Sequence, residues 1–192
     1  MAVEAVVFDV GETLVDETSM WTRIAAAAGL TPLTLMAGLG ATIATGRDHN
    51  DVWTLLGAEP PAGAFAMEDW YPDALPCLER LRGAGYRVCA CGNTRASVEE
   101  QLRAHVDAVA SSETFGVWKP APEFFARLAD LAGVPAEKIA YVGDRVDNDV
   151  APALRAGMVA VHIRRGPWGH LHAPPAEAIR IRSLDELPAA LR

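Results

Sequence analysis

The chain has 192 residues, 51% of them hydrophobic, and a formal net charge of −8 at pH 7. That length suits one domain carrying an insertion better than two equal domains, and the apolar fraction excludes disorder and supplies a substantial core. No basic run interrupts the acidic balance. This argues against nucleic acid and membrane as partners, while an anionic small molecule needs only one local cation and a few backbone amides. The opening residues include Glu4 and too short an apolar stretch for a signal sequence, so the expected location is cytoplasmic.

In chain order, residues 3–8 are apolar and β-branched, a short buried strand that ends on Asp9, with Gly11 two positions later. Residues 19–57 are rich in Ala and Leu and are punctuated by Gly29, Thr31-Pro32, Gly46 and Gly57, which predicts three short helices. Residues 58–66 form a Pro/Gly/Ala linker. A helix over 73–83 precedes a strand over 86–91. Ser97 and Glu100 suggest a capping box inside a helical stretch at 95–105. A strand near 107–111 follows, then a helix over 122–132 stopped by Gly133. The last units are a strand over 138–142, a helix over 149–156 stopped by Gly157, and a strand over 159–163. Repeated strand–helix units imply an α/β fold with a mostly parallel sheet and helices on both faces. Cys77, Cys89 and Cys91 have neither CxxC spacing nor a histidine at zinc-ligand distance, so they read as buried free thiols.

In such a sheet, ligands bind beyond the carboxyl ends of the strands. The strand ends here carry Asp9, then Gly92-Asn93-Thr94, then Lys119-Pro120 in the loop after the third strand, then Gly143-Asp144 with Asp147 and Asp149 behind it. Carboxylates that converge repel unless one is protonated or a cation sits among them. Oxygen ligands favour a hard ion, and Mg²⁺ is usually held by one or two carboxylates together with water and phosphate oxygens. The expected site therefore holds Mg²⁺, with an anionic substrate between the metal and Lys119.

These residues and their order resemble the haloacid dehalogenase (HAD) superfamily, in its phosphatase-like branch. Asp9 matches the nucleophile of the first motif and Gly92-Asn93 the second, where Ser or Thr usually precedes the Asn. Lys119-Pro120, within Trp118-Lys119-Pro120-Ala121-Pro122-Glu123, matches the third. Gly143-Asp144 through Asn148-Asp149, followed by Ala156-Gly157-Met158, matches the fourth. The resemblance implies a Rossmann-like three-layer core over residues 1–15 and 71–192, with a small α-helical cap over 16–70 inserted after the first strand. It implies attack of Asp9 on phosphorus to give an aspartyl-phosphate, with Mg²⁺ held by Asp9, the Gly11 carbonyl, Asp144 and Asp149. Asp149 would bind the ion directly or through water. Lys119 would neutralise Asp9 and the phosphate, and the Asn93 amide would bind a phosphate oxygen.

Two positions depart from the pattern. The family's phosphatases carry a second Asp, the general acid–base, where this chain has Gly11. Glu12, Asp16 and Glu17 are the nearby substitutes. Gly92 removes a hydroxyl from the phosphate cradle, and Thr94 is the nearest replacement. The leading expectation is a Mg²⁺-dependent phosphatase of a small phosphorylated metabolite, slowed or restricted to good leaving groups, working as a monomer or homodimer. The alternatives are a catalytically weak binding or regulatory module and, below that, a metal-independent dehalogenase. Asp147 reads as a helix N-cap rather than a ligand, and Trp70-Tyr71 as packing at the entry of the next helix. Trp21, Arg23, Arg47, His49 and Trp53 in the cap read as packing or surface. Residues 164–172 read as a loop held by Trp168 with exposed histidines, its two arginines available to substrate or partner.

Overall fold

The computed structural model describes residues 2–63 and 69–192. β1 (Ala5–Phe8) is apolar and buried at every position, as a strand covered on both faces requires. Its side chains alternate: Val6 and Phe8 enter one core layer, Ala5 and Val7 the other. The chain then forms β2 (Val15–Asp16), the helices α1 (Thr18–Ala27), α2 (Pro32–Ala44) and α3 (Asp51–Leu56), and β3 (Asp69–Trp70). β3 returns antiparallel to β2, with Val15 opposite Trp70 and Asp16 opposite Asp69. The three helices between them are thus reached and left through one two-stranded ladder.

The core resumes with α4 (Ala74–Gly83), β4 (Arg87–Gly92), α5 (Ala96–Leu102), β5 (Ala108–Ser111), α6 (Ser112–Phe115) and α7 (Pro122–Ala132). It ends with β6 (Ile139–Gly143), α8 (Ala151–Arg155), β7 (Val159–Ile163), α9 (Gly166–Leu171), β8 (Ile179–Ile181) and α10 (Leu187–Ala190). The six core strands lie in the order β5-β4-β1-β6-β7-β8, and every neighbouring pair is parallel. The strand order runs outward from β1 in both directions. The topological switch point therefore lies beside β1, and the residues after β1, β4 and β6 border it. Among the described residues, no single helix is long and apolar enough to cross a membrane.

One core layer combines Val6 and Phe8 with Cys77, Leu78 and Leu81 of α4 and Leu187 of α10. The other sets Val7, Cys89, Cys91 and Tyr141 against Phe124, Phe125 and Leu128 of α7. All three cysteines are free and buried. Burial pushes the Cys77 thiol up to about 12 and the Cys89 thiol up to about 11, so both remain unreactive packing groups.

Several local expectations change. The helix at 96–102 carries no capping box: Arg95 is its N-cap, without a side-chain bond, and the Ala96 N–H instead donates to Glu113 Oε2 at 2.6 Å. A partner seventeen residues away takes over the cap. The helix expected over 149–156 begins as a π-helical turn, Val146–Val150, before α8. Asp147 is not its N-cap, because its carboxylate pairs with the Arg145 guanidinium at 2.6 Å. The expected linker over 58–66 is described only up to Gly63; residues 64–68 lie outside the described residues.

The segment after β7 is also not a plain loop. It folds as α9, His170 is exposed, and His172 Nε2 lies 3.3 Å from the Ile43 carbonyl. Trp168 of α9 is 6% exposed and completes the small core of Ala25, Leu35, Leu39, Ile43 and Val52 in the inserted helices. Of the two arginines before α9, Arg164 is exposed. Arg165 donates to the Thr13 carbonyl at 2.9 Å, pairs with Asp73, and stacks 4.1 Å from the Tyr71 ring centroid. It ties the loop after β1 to the start of α4 and is a structural cation.

Because Trp168 is the core's contribution to the cap's apolar cluster, its truncation leaves a cavity at their junction. Trp168→Ala is expected to lower the unfolding free energy by about 3–5 kcal/mol in urea denaturation. A loss under about 1 kcal/mol would show that the inserted helices pack without it.

Candidate active site

The switch-point crevice is a cleft of about 510 Å³ between the core and the inserted helices. Asp9 follows β1, Gly92-Asn93 end and follow β4, and Gly143-Asp144 end and follow β6. Asp9, Lys119, Asp144 and Asp149 are all buried. Lys119 Nζ donates to Asp9 Oδ1 at 2.6 Å and to Asp149 Oδ1 at 2.6 Å. Burial alone would strip a proton from this ammonium, but the carboxylates of Asp149 and Asp9 outweigh burial and hold its pKa well above the usual lysine value.

Close approach explains the small residues of the motifs. A Cβ on Gly143 would lie 2.5 Å from the Asp149 carboxyl carbon, so only glycine lets Asp149 lie across the end of β6. A Cβ on Gly92 would lie 2.5 Å from Asp9 Oδ1. The position where a hydroxyl side chain was expected is therefore filled by the Asp9 carboxylate oxygen. Thr94 lines the cleft close by.

Asn93 has a structural role beyond the expected one. Its Oδ1 accepts from the Lys119 N–H at 2.8 Å and its Nδ2 donates to the Lys119 carbonyl at 3.0 Å. The side chain acts first as a splint for the lysine backbone, and only its second amide hydrogen remains for a phosphate oxygen. Asp149 is similarly committed: Oδ1 accepts from Lys119 and Oδ2 from the Arg145 N–H at 2.9 Å. Burial raises Asp149 to about 6 against the opposing pull of Lys119.

Asp144 is the counterweight. Its Oδ2 is buried and has no hydrogen-bond partner among the described residues. Burial, then the charges of Asp149 and Asp9, push its carboxyl well above the ordinary range. One carboxylate oxygen from each of Asp9, Asp144 and Asp149 lies within 4.8 Å of the others. An unpartnered buried oxygen within an all-oxygen cluster fits a hard divalent cation. Gly11 lines the same cleft.

The structure separates the three acids near Gly11. Asp16 Oδ1 accepts from the Thr18 N–H at 2.8 Å and serves the start of α1. Glu12 has a left-handed backbone, φ 51°, which is rare for a residue with a side chain. Its Oε1 accepts from the Glu17 N–H at 2.9 Å and its Oε2 from the Tyr71 hydroxyl at 2.6 Å. Burial and that bond push the Tyr71 phenol up, so it stays a donor. Tyr71 is thus a brace for Glu12 as well as packing at the entry of α4.

Glu17 turns the other way, into the cleft, beside Asp9 and Gly11. A Cβ on Gly11 would collide with Glu17 Oε1 and lie 2.8 Å from its Cδ. Trp21 Nε1–H donates to Glu17 Oε2 at 3.1 Å. Burial first, then the charges of Glu12 and Asp9, raise the Glu17 carboxyl to about 7.

Arg145 was missed by sequence reading. Its guanidinium pairs with Asp147 and lies 4.6 Å from the Trp168 ring centroid, on the cleft wall with His49 and Trp21. Its place directly after Asp144 is the one sequence signal that could have found it. His49 packs edge-on to Trp168, with ring centroids 5.9 Å apart.

The model of the haloacid dehalogenase-like hydrolases matches residues 3–157. A glyceraldehyde 3-phosphate phosphatase of Methanopyrus kandleri is 41% identical over 110 residues, which are 54% of this chain and 47% of that protein. The chain thus spans about half the length of the curated relatives it matches. A HAD phosphatase crystal structure from Thermococcus onnurineus superposes with a TM-score of 0.65 at 23% identity, covering 98% of both chains. A dehalogenase crystal structure gives a TM-score of 0.72 at 22% identity, covering 99% of this chain and 98% of that one. At those identities the two structures speak to the fold alone. The family model spans most of the chain and includes all four clustered motifs: the chain belongs to the haloacid dehalogenase-like hydrolases.

Proposed function

We propose that this hydrolase is a Mg²⁺-dependent phosphatase of a small phosphorylated metabolite, with Asp9 as nucleophile. The observation that carries the reading is Lys119 bonded to both Asp9 and Asp149 beside the unpartnered Asp144 oxygen. The names of the curated relatives support it and point to substrates the size of a triose phosphate.

Asp9, Asp144 and the Gly11 carbonyl would hold the cation, with Asp149 anchoring a coordinated water. Bound there, Mg²⁺ supplies charge stabilisation as phosphate and carboxylate approach. The chain's own residues do the rest. Lys119 offsets the charge of Asp9, 2.6 Å away, and that of the incoming phosphate. Asn93 holds the lysine backbone, and its second amide hydrogen and the Thr94 hydroxyl face the phosphate. Asp9 attacks phosphorus, the P–O bond to the alcohol breaks, and water later cleaves the aspartyl-phosphate. Arg145, His49, Trp21 and Trp168 form the wall that meets the rest of the substrate.

Turnover of p-nitrophenyl phosphate or acetyl phosphate is expected with Mg²⁺ and not with EDTA, and Asp9→Asn should reduce it to the uncatalysed background. Halide release from a 2-haloacid without metal would overturn the reading in favour of carbon–halogen hydrolysis. Absence of turnover across a broad phosphate panel would favour a binding module.

A second prediction needs no substrate. Asp144 is an uncompensated buried acid, so Asp144→Asn should leave the metal-free protein at least as thermally stable as the wild type. Saturating Mg²⁺ stabilises the wild type, by about 2.7 kcal/mol at a hundredfold excess over Kd, and should not stabilise the variant. An equal Mg²⁺-induced rise in Tm in both proteins would remove Asp144 from the metal site.

A further inference from the structure

The geometry points to Glu17 as the general acid–base of this enzyme, filling from the N-cap of α1 the place left open at Gly11. The inference rests on the phosphatase reading above and deepens it.

Three observations converge. First, the carboxylate of Glu17 lies where the side chain of residue 11 would begin. A Cβ there would collide with Glu17 Oε1 and stand 2.8 Å from Cδ. Gly11 and Glu17 are thus two halves of one arrangement: the glycine is what admits the glutamate. Second, Glu17 occupies the N-cap position of α1 but makes no side-chain cap bond. Its carboxylate is therefore not spent on the first free amides of α1 and lines the cleft instead. Third, it is held in that orientation. Trp21, one helical turn along, donates to Oε2 at 3.1 Å. Glu12 fixes the Glu17 backbone by accepting its N–H at 2.9 Å. The other acids nearby are committed elsewhere, Glu12 to Tyr71 and Glu17 N–H, and Asp16 to Thr18 N–H.

The proton and electron accounting closes. In the first half-reaction an Asp9 carboxylate oxygen attacks phosphorus and the bond from phosphorus to the ester oxygen breaks. The Glu17 carboxylic acid gives its proton to that oxygen, releasing the alcohol and leaving Glu17 as carboxylate. In the second half-reaction Glu17 takes a proton from water as the water oxygen attacks phosphorus. The bond from phosphorus to Asp9 breaks, inorganic phosphate leaves, and Asp9 is again a carboxylate and Glu17 again an acid. No further reactant is needed.

The test compares leaving groups. With the wild type active on both glycerol phosphate and p-nitrophenyl phosphate, Glu17→Gln should slow glycerol phosphate turnover by on the order of 10²–10⁴. p-Nitrophenolate departs without a proton. The same variant should therefore release a rapid burst of one p-nitrophenolate per site and then turn over slowly, because water attack lacks its base. A double variant, Glu17→Ala with Gly11→Asp, should recover most of the glycerol phosphate activity, whereas Gly11→Asp alone should not exceed the wild type because both carboxyls compete for one space. Wild-type steady-state rates in Glu17→Gln would overturn the assignment while leaving the phosphatase reading intact. Loss of activity without a burst, and without recovery in the double variant, would show Glu17 to be structural. No turnover of any phosphate ester by the wild type would overturn the phosphatase reading, and this inference with it.

Discussion

The site depends on one buried ammonium. Lys119 Nζ lies 2.6 Å from an oxygen of Asp9 and 2.6 Å from an oxygen of Asp149, with all three side chains at most 10% exposed. In that medium two unshielded carboxylates would repel one another strongly. Lys119 prevents this, but it is a single charge among three clustered carboxylates. Asp144 is left over with an unpartnered oxygen. Three negative charges against one positive leave two, the charge a divalent cation brings. A divalent cation would balance that charge, and the all-oxygen cluster suits one.

Much of the surrounding backbone serves to bring these charges together. Asn93 clamps both the N–H and the carbonyl of Lys119. Gly92 and Gly143 each yield the volume of a Cβ to a carboxylate, to Asp9 and to Asp149 respectively. The loss of a hydroxyl at residue 92 is therefore not simply a gap in the phosphate cradle. It is the condition under which Asp9 rests against the end of β4 with its oxygen toward Lys119. A side chain there would require the Asp9 oxygen that the lysine holds to shift.

What the sequence disclosed followed from periodicity and position. Apolar runs ending on Asp9, Gly92 and Asp144 could be read as parallel strands with their tips together, because a doubly wound sheet gathers its strand ends at one edge. The less legible features were long-range or rotameric. The cap of α5 comes from Glu113, seventeen residues downstream of the amide it serves. Arg165 is spent on Asp73 and Thr13, which adjoin it only in the folded chain. β8 and α9 are too short to carry a period of their own and are set by packing, β8 against β7 and Trp168 against the inserted helices. The choice among Glu12, Asp16 and Glu17 turned on side-chain direction, which spacing along an irregular loop cannot define.

That choice alters what the inserted helices are for. An acid–base mounted in the loop after β1 would move with the core and be indifferent to the cap. Glu17 instead opens α1, and α1 packs with α2 in a cluster that Trp168 completes from the core side. Trp168 also carries the Arg145 guanidinium on its face, and the Arg145 N–H holds Asp149, the partner of Lys119. A continuous set of contacts therefore runs from the cap's apolar centre through Trp168 and Arg145 to the buried ammonium, while a second runs through Trp21 to Glu17. Proton transfer needs donor and acceptor atoms within hydrogen-bond reach, so the seating of the cap sets the distance over which the proton must move. Gly11, the apparent defect of the first motif, is the residue that permits this coupling, since any side chain there would exclude the glutamate that the cap delivers.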